Sequence, residues 1–296
     1  MPSFSTKCLN TALKYSRLKN KLDFSHPHRS NGLTIPCFIK ISCSWSAQTV
    51  SGHSLVTLKR KKIRTRRHIV YFHGGAYAEE INMGHWFFFL RLLNKLPCRI
   101  SVVDYPLAPE NSFEETIKMS HAAVKILADE YPRDDFSLMG DSAGGGLAMV
   151  LCQILSEDSE NHRLKNCFCF SPWTDLGMSN SAMPRRENSD HLLRIEPLKI
   201  AAAQYAKGFN LKDPRLSPLY GDFTHCPPMH IFYSDSEILG ADCSALKEKL
   251  NYSAPHIRFY EFHNLPHVWP LFPVKEARQV LDCFYRFMKN DEKNSN

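Results

Sequence analysis

The sequence predicts an α/β protein built on a mostly parallel, doubly wound sheet. Three observations carry that expectation. Short apolar runs, Ile69 to Phe72, Ile100 to Val103, Phe136 to Met139, Asn166 to Phe170, Pro227 to Tyr233 and His256 to Tyr260, read as buried strands bounded by turns. Helical stretches fall between most of them, the pattern that gives a sheet covered on both faces. At 296 residues, 43% hydrophobic and 23% charged, the chain can bury a large core as one domain plus an appendage, which sets it apart from disordered chains.

Taken in order, residues 1–36 place Phe4, Leu9, Leu13, Leu18 and Leu22 at roughly helical spacing, with Lys7, Lys14, Arg17, Lys19 and Lys21 between them and no acidic residue before Asp23. A basic, acid-poor amphipathic start fits an organelle transit segment; it equally fits helices laid over a pocket, the preferred reading because a pocket needs a cover. It lacks the continuous apolar stretch of a secretory signal. Ile39 to Trp45 alternates well enough for a first strand and Ser54 to Leu58 for a second. The basic run from Lys59 to Arg67 reads as a solvated loop ahead of a nuclear-localisation, nucleic-acid or anionic-lipid element. It supplies much of the net charge of +7, and no nucleic-acid-binding fold accompanies it.

Gly84 to Leu93 is too short to span a membrane and reads as a helix packed between sheet and cover, with aromatics available to line a pocket. Glu114 to Tyr131 is a further helix, with Ala122, Ala123, Val124, Ile126 and Leu127 inward. The stretch from Asp175 to about Asp222, with mixed charge, Ala201-Ala-Ala and several prolines, is a helical insertion and not core sheet. A helix around Cys243 to Leu250 and a final one from about Val274 to Met288 complete the chain; the tail after Lys289 is expected to be disordered. The ten scattered cysteines show no zinc-ligand pairing, and Cys167 and Cys169 share one side of a strand. Buried free thiols in a reducing, cytoplasmic setting are expected.

The chemistry concentrates at Phe136-Ser-Leu-Met-Gly140-Asp-Ser142-Ala-Gly-Gly-Gly146. A strand stops at a glycine, a serine stands at the apex, and glycines lead into an apolar helix through Leu155. That is a nucleophile elbow. Gly140 and Gly144 are demanded by so tight a turn, and the first helical amides face any oxyanion beside the serine. Upstream, His73-Gly74-Gly75-Ala76-Tyr77 follows a strand, so that Gly74 and Gly75 join the amide of Ala143 in an expected oxyanion hole. A third signature, Asp104-Tyr-Pro-Leu-Ala-Pro-Glu110, again follows a strand.

With these motifs the chain resembles the hormone-sensitive-lipase-like (family IV) carboxylesterases of the α/β-hydrolase fold. His73-Gly-Gly, Asp104-Tyr-x-Leu-Ala-Pro-Glu110 and Gly140-Asp-Ser-Ala-Gly144 are similar to that family's signatures, and Ser171-Pro-Trp-Thr-Asp-Leu176 and Asp213-Pro-Arg-Leu-Ser-Pro218 to further landmarks. The match runs from about Ser54 almost to the end. Ala76 departs from a third glycine often found there, and Pro106 from the usual arginine. The resemblance implies a helical cap made of residues 1–38 and an insertion at about 175–222, within a hydrolase domain of residues 39–296.

It also implies roles. Serine, acid and histidine come in that chain order, each beyond a successive strand, so Ser142 is the expected nucleophile and His267 its base, with His73 orienting the oxyanion loop. Of the two carboxylates after the strand that ends at Tyr233, Glu237 falls on the family's acid position, with Asp235 as the alternative. The expected function is hydrolysis of small, short- to medium-chain carboxylic esters through an acyl-enzyme. Amide or acetyl removal and lipid-ester cleavage are open on the same triad, and a small-molecule receptor is disfavoured because His267 is present. No cofactor or metal is called for. The expected partner is a small ester, without nucleic acid or stable membrane insertion; a homodimer is left open.

Overall fold

The computed structural model describes residues 2–30, 32–157, 163–251 and 253–294. Helix α1 (Phe4–Ser16), a 3-10 turn (Leu18–Lys21) and the short α2 (Cys37–Ser42) precede strands β1 (Cys43–Val50), β2 (His53–Arg60) and β3 (Arg67–Phe72). Then come α3 (Met83–Lys95), β4 (Arg99–Val103), α4 (Phe113–Glu130), β5 (Asp135–Asp141), α5 (Ser142–Ser156) and β6 (Leu164–Phe170). Two helices, α6 (Met183–Glu187) and α7 (Ile195–Ala206), lie between β6 and β7 (Met229–Ser234); α8 (Gly240–Leu250), β8 (Ile257–Phe262) and α9 (Lys275–Asn294) follow.

The eight strands form one sheet in the order β1-β2-β4-β3-β5-β6-β7-β8. β1 and β2 are antiparallel, β2 runs antiparallel to β4, and every later pairing is parallel. Alternation decides which face each side chain meets. On β3, Val70 and Phe72 join the apolar cluster that takes in α4, α5, α7 and α8, whereas Ile69 and Tyr71 join the one that takes in α2, α3 and α9. Burial on both faces explains why the central strands read as unbroken apolar runs.

Four expectations are corrected. Residues 39–42 are helical: Pro36 stands at the N-cap of α2, and the strand begins only at Cys43. Ile39 is buried and Ile41 is 72% exposed, an alternation that suits a strand but also fits one turn of a half-buried helix. Of the expected cover, helix α3 meets the N-terminal part, through Ile35 and Phe38, and lies on the face of the sheet opposite the insertion. It packs beside α9, while α7 belongs to the opposite cluster; Phe88 and Phe89 enter the sheet core, and Phe87 stacks on Phe38 near the surface. In α4, Ala123, Val124 and Leu127 face inward, but Ile126 is exposed. Helix α9 continues to Asn294, past the point where disorder was expected.

The N-terminal residues are tied down at several places. The Ser3 amide and the Thr6 hydroxyl donate to Glu276 at the start of α9, at 2.6 Å each, and Asn10 Nδ2 donates to the Asn264 carbonyl at 2.9 Å. Lys19 Nζ donates to the carbonyls of Glu187 and, at 2.8 Å, Asp190. Arg29 reaches the carbonyls of Ala78 and Ala108 and pairs with Glu110 at 2.7 Å. The Lys59–Arg67 run is divided between the end of β2, a loop, and the first residue of β3. Cys43, Cys98, Cys152, Cys167, Cys169, Cys226 and Cys243 are buried, all as free thiols. The Sγ atoms of Cys167 and Cys169 lie 3.6 Å apart on the shared face.

The start of α5 lies almost in contact with the end of β3, an approach that glycine at 144 permits. A Cβ on Gly144 would lie 2.1 Å from the Phe72 carbonyl oxygen and 2.4 Å from that of His73. Backbone on both sides cannot yield. Gly144→Ala is therefore expected to destabilise the fold by about 3 kcal/mol, read as a lowered midpoint in thermal or urea denaturation.

Candidate active site

Strand β5 delivers the elbow. Ser142 has φ 52°, in the left-handed region that a non-glycine residue occupies at a cost, and a Cβ on Gly140 would sit 2.3 Å from the Gly144 carbonyl oxygen. Held this way, Ser142 Oγ lies 2.9 Å from Nε2 of His267, which comes from the loop after β8. On its other side, His267 Nδ1 is 2.6 Å from Glu237 Oε2.

Glu237 is fully buried, and its remaining oxygen is also engaged. Oε1 accepts the Ser234 amide at 2.7 Å and the Ser171 hydroxyl at 2.9 Å. Ser171 Oγ in turn accepts the Val268 amide at 3.1 Å, so one hydroxyl spans the acid and the residue after the histidine. In the sequence Ser171 stands only as the start of a family landmark; its position just past β6, the strand beside β7, is the signal for this role.

Asp235, the alternative acid, faces elsewhere. Its carboxylate binds His263 Nδ1 at 2.7 Å and the Asn264 amide at 2.9 Å at the exposed surface, bracing the loop that carries His267 from outside. Its side chain is two residues from Glu237 but meets a different histidine.

The amides show one departure from expectation. Gly74 N donates to Asp141 Oδ1 at 3.0 Å, so it is already spent on a buried carboxylate. The same oxygen accepts the Tyr71 hydroxyl at 2.7 Å, and His85 Nε2 lies 3.3 Å away, within ion-pair distance but poorly aligned for a hydrogen bond. Among the described residues no hydrogen bond engages the amides of Gly75, Ala76 or Ala143. Ala76 has φ 55° and Tyr77 φ 59°, so the loop turns through left-handed backbone at a non-glycine pair. Neither Ala76 as a donor nor Asp141 as the loop's anchor was anticipated; the signal for Asp141 was its place between Gly140 and Ser142.

Electrostatics follow from burial and neighbours. Burial opposes a charged His267, but the hydrogen bond and charge of Glu237, helped by Asp190 and Asp141, outweigh it and raise the imidazole above its ordinary 6.5. Burial likewise opposes the charge on Asp141, yet His85, Tyr71 and the Gly74 amide hold this carboxyl below its usual range. His73 is driven the other way: burial, with His85 nearby, pushes it down to about 4. Its Nδ1 lies 2.8 Å from the Gly74 carbonyl, and its ring stacks on Tyr105 with centroids 4.5 Å apart. His73 thus holds the loop as a neutral ring.

A cavity of about 500 Å³ opens between residues 30–36 and 80–86, with Trp86, Leu33 and Asp104 in its wall and Ser142 outside it. Among the described residues there is no cluster of three or more histidine, cysteine or carboxylate groups arranged to hold a metal ion, and no helix is long and apolar enough to cross a membrane.

A sheet of this order, with a strained serine on the strand-to-helix turn and a histidine and a carboxylate lined up behind it, defines a class, and the chain belongs to the α/β-hydrolase-fold family, whose sequence model matches residues 69–271. It is 28% identical over 243 residues to an acetyl-hydrolase of Streptomyces hygroscopicus, covering 80% of each chain, and 28% identical over 217 residues to an esterase of Acinetobacter venetianus, covering 72% of this chain and 71% of that one. In three dimensions it is similar to a hormone-sensitive lipase from a metagenome library: TM-score 0.82, 22% identity, 97% of this chain and 98% of the other. The resemblance to hormone-sensitive-lipase-like proteins read from the motifs holds at the level of fold.

With its pKa raised, His267 should be half-deprotonated only above pH 6.5, whereas His73 should be neutral throughout the physiological range. Imidazole NMR titration of the two rings is expected to give a midpoint above 6.5 for His267 and no transition for His73 between about pH 5 and pH 8.

Proposed function

We propose that the chain is a carboxylic ester hydrolase that works through an acyl-enzyme on Ser142. The observation that carries this reading is the unbroken line of hydrogen bonds from Ser142 Oγ through both nitrogens of His267 to the buried Glu237. In the first half-reaction His267 Nε2 takes the Ser142 proton as Oγ adds to the ester carbonyl; it returns the proton to the departing alcohol. In the second half-reaction His267 Nε2 takes a proton from water as its oxygen adds to the acyl carbonyl, and returns that proton to Ser142 Oγ as the acid departs. Glu237 fixes the imidazole with its proton on Nδ1 and stabilises the cation formed in each step. The unengaged amides of Gly75, Ala76 and Ala143 are the donors for the developing oxyanion, and Gly74 serves to hold the loop.

The substrates proposed are small esters of short- to medium-chain acids. The names of the two curated relatives, an acetyl-hydrolase and an esterase, support this, and so does the methyl group that Ala76 adds beside the oxyanion site. Residues 1–38 and the insertion at about 175–222 are proposed to form the cap. Their support is the bonding of Lys19 to the Glu187 and Asp190 carbonyls and of Gln204 to the Ser25 carbonyl at 3.2 Å.

Hydrolysis of p-nitrophenyl acetate, butyrate and octanoate should decline toward the longest chain. Ser142→Ala should lose at least about four orders of magnitude in kcat/KM while folding normally. Glu237→Gln keeps the shape but removes the anion, and a fall of roughly a thousandfold or more is expected; Asp235→Asn should stay within about threefold, as loss of a surface brace does. The opposite order for the two acids would reassign the role to Asp235. Because only neutral His267 accepts a proton, kcat/KM should rise with pH, with a midpoint above 6.5.

A further inference from the structure

One buried carboxylate near the site has entered so far only through its charge. Asp190 stands in the turn between α6 and α7 and is 3% exposed. Its Oδ1 accepts the amides of Leu192 and Leu193 at 2.8 and 2.9 Å, which closes the turn locally. Its Oδ2 reaches across the molecule to the amide of Ile238 at 2.9 Å, the residue after Glu237. Two neighbouring contacts repeat the docking. Ser189 Oγ donates to the Ser236 carbonyl at 2.9 Å, and a Cβ on Gly240 would lie 2.8 Å from a guanidinium nitrogen of Arg186. The insertion therefore meets the acid loop at residues 236, 238 and 240, on both sides of Glu237.

We propose that Asp190 is a positioning residue for the Glu237–His267 pair, fixing the acid loop from the insertion. This rests on the triad reading above. The peptide following Glu237 is held by the Asp190 carboxylate, and the Glu237 head by Ser234 and Ser171, so the side chain is fixed from both ends. A charge-assisted bond to a buried amide is the stronger kind, and no other described group accepts from Ile238 N. Three carboxylates act on His267: Glu237 from the acid loop, Asp190 from the insertion, and Asp141 from the end of β5, the last beside His85. Around Asp190 itself stand His191 on the same turn and Lys19 from the N-terminal segment, on its carbonyl.

An asparagine at 190 can keep Oδ1 on Leu192 and Leu193 only by turning an NH2 toward the Ile238 N–H, donor against donor, and it removes the charge. For Asp190→Asn with p-nitrophenyl acetate, kcat per active site, counted with a phosphonate titrant, is expected to fall about tenfold, with KM changed less than about threefold. Loss of an anion lowers the His267 pKa, so the acid limb of the pH–rate profile is expected to move to lower pH by roughly half a unit. Ser189→Ala, which loses the adjacent contact without altering charge, should keep the wild-type limb. Asp190→Glu, which retains the charge on a longer arm, should also keep it while kcat falls, and provides the reading if the asparagine variant fails to fold. An Asp190→Asn profile that superimposes on wild type with unchanged kcat, or a limb displaced equally in Ser189→Ala or Asp190→Glu, overturns the role for Asp190 and leaves the triad standing. Full activity in Ser142→Ala would overturn both.

Discussion

A fully buried carboxylate is the constraint to which the upper end of the sheet is built. Glu237 is shut off from bulk solvent, and an ionised group in that position is tolerated only when both oxygens are bonded. Its donors come from three different strand ends: Ser171 past β6, Ser234 at the end of β7, and His267 beyond β8. Satisfying one side chain therefore fixes the relative positions of three loops. The 2.6 Å bond to His267 is one result of that requirement, and the alignment of the same ring with Ser142 is the other.

A second carboxylate plays the matching part on the opposite side of the serine. Asp141 draws the Gly74 amide, the Tyr71 hydroxyl and His85 to itself, binding the loop after β3 to the end of β5. Two buried anions, one on each side of the elbow, thus stand where the protein must be rigid. Each is held by donors from neighbouring strands, so the accuracy of the site is inherited from the register of the parallel sheet, in which Phe72 lies opposite Gly140.

What could be read from the sequence was whatever local chemistry dictates. Gly140 and Gly144 announced a turn too tight for a side chain, and the apolar runs announced strands buried on both faces. The fold followed from these. The cases that misled were those in which one pattern suits two structures. Ile39 and Ile41 alternate equally in a strand and in a single helical turn, and Phe88 and Phe89 of α3 are as apolar as a pocket wall while serving as sheet core. Ser171, Asp141 and Asp190 were not identified as site residues because their partners are remote in sequence; a hydrogen bond across 66 residues, as from Ser171 to Glu237, leaves no periodicity behind. The use of Gly74 was misjudged for a related reason. A glycine after a strand reveals that its backbone is approached closely, but not by what.

The N-terminal arm has a consequence for how the molecule is made. Its first anchor, the Ser3 amide on Glu276, joins residues 273 positions apart, and Asn10 and Lys19 reach Asn264 and Asp190. During folding Ser3, Asn10 and Lys19 have no partner until Glu276, Asn264 and Asp190 are in place. The parallel sheet, itself a slow, non-local structure, must be largely in place before they can settle. The arm is thus among the last parts of the chain to be ordered.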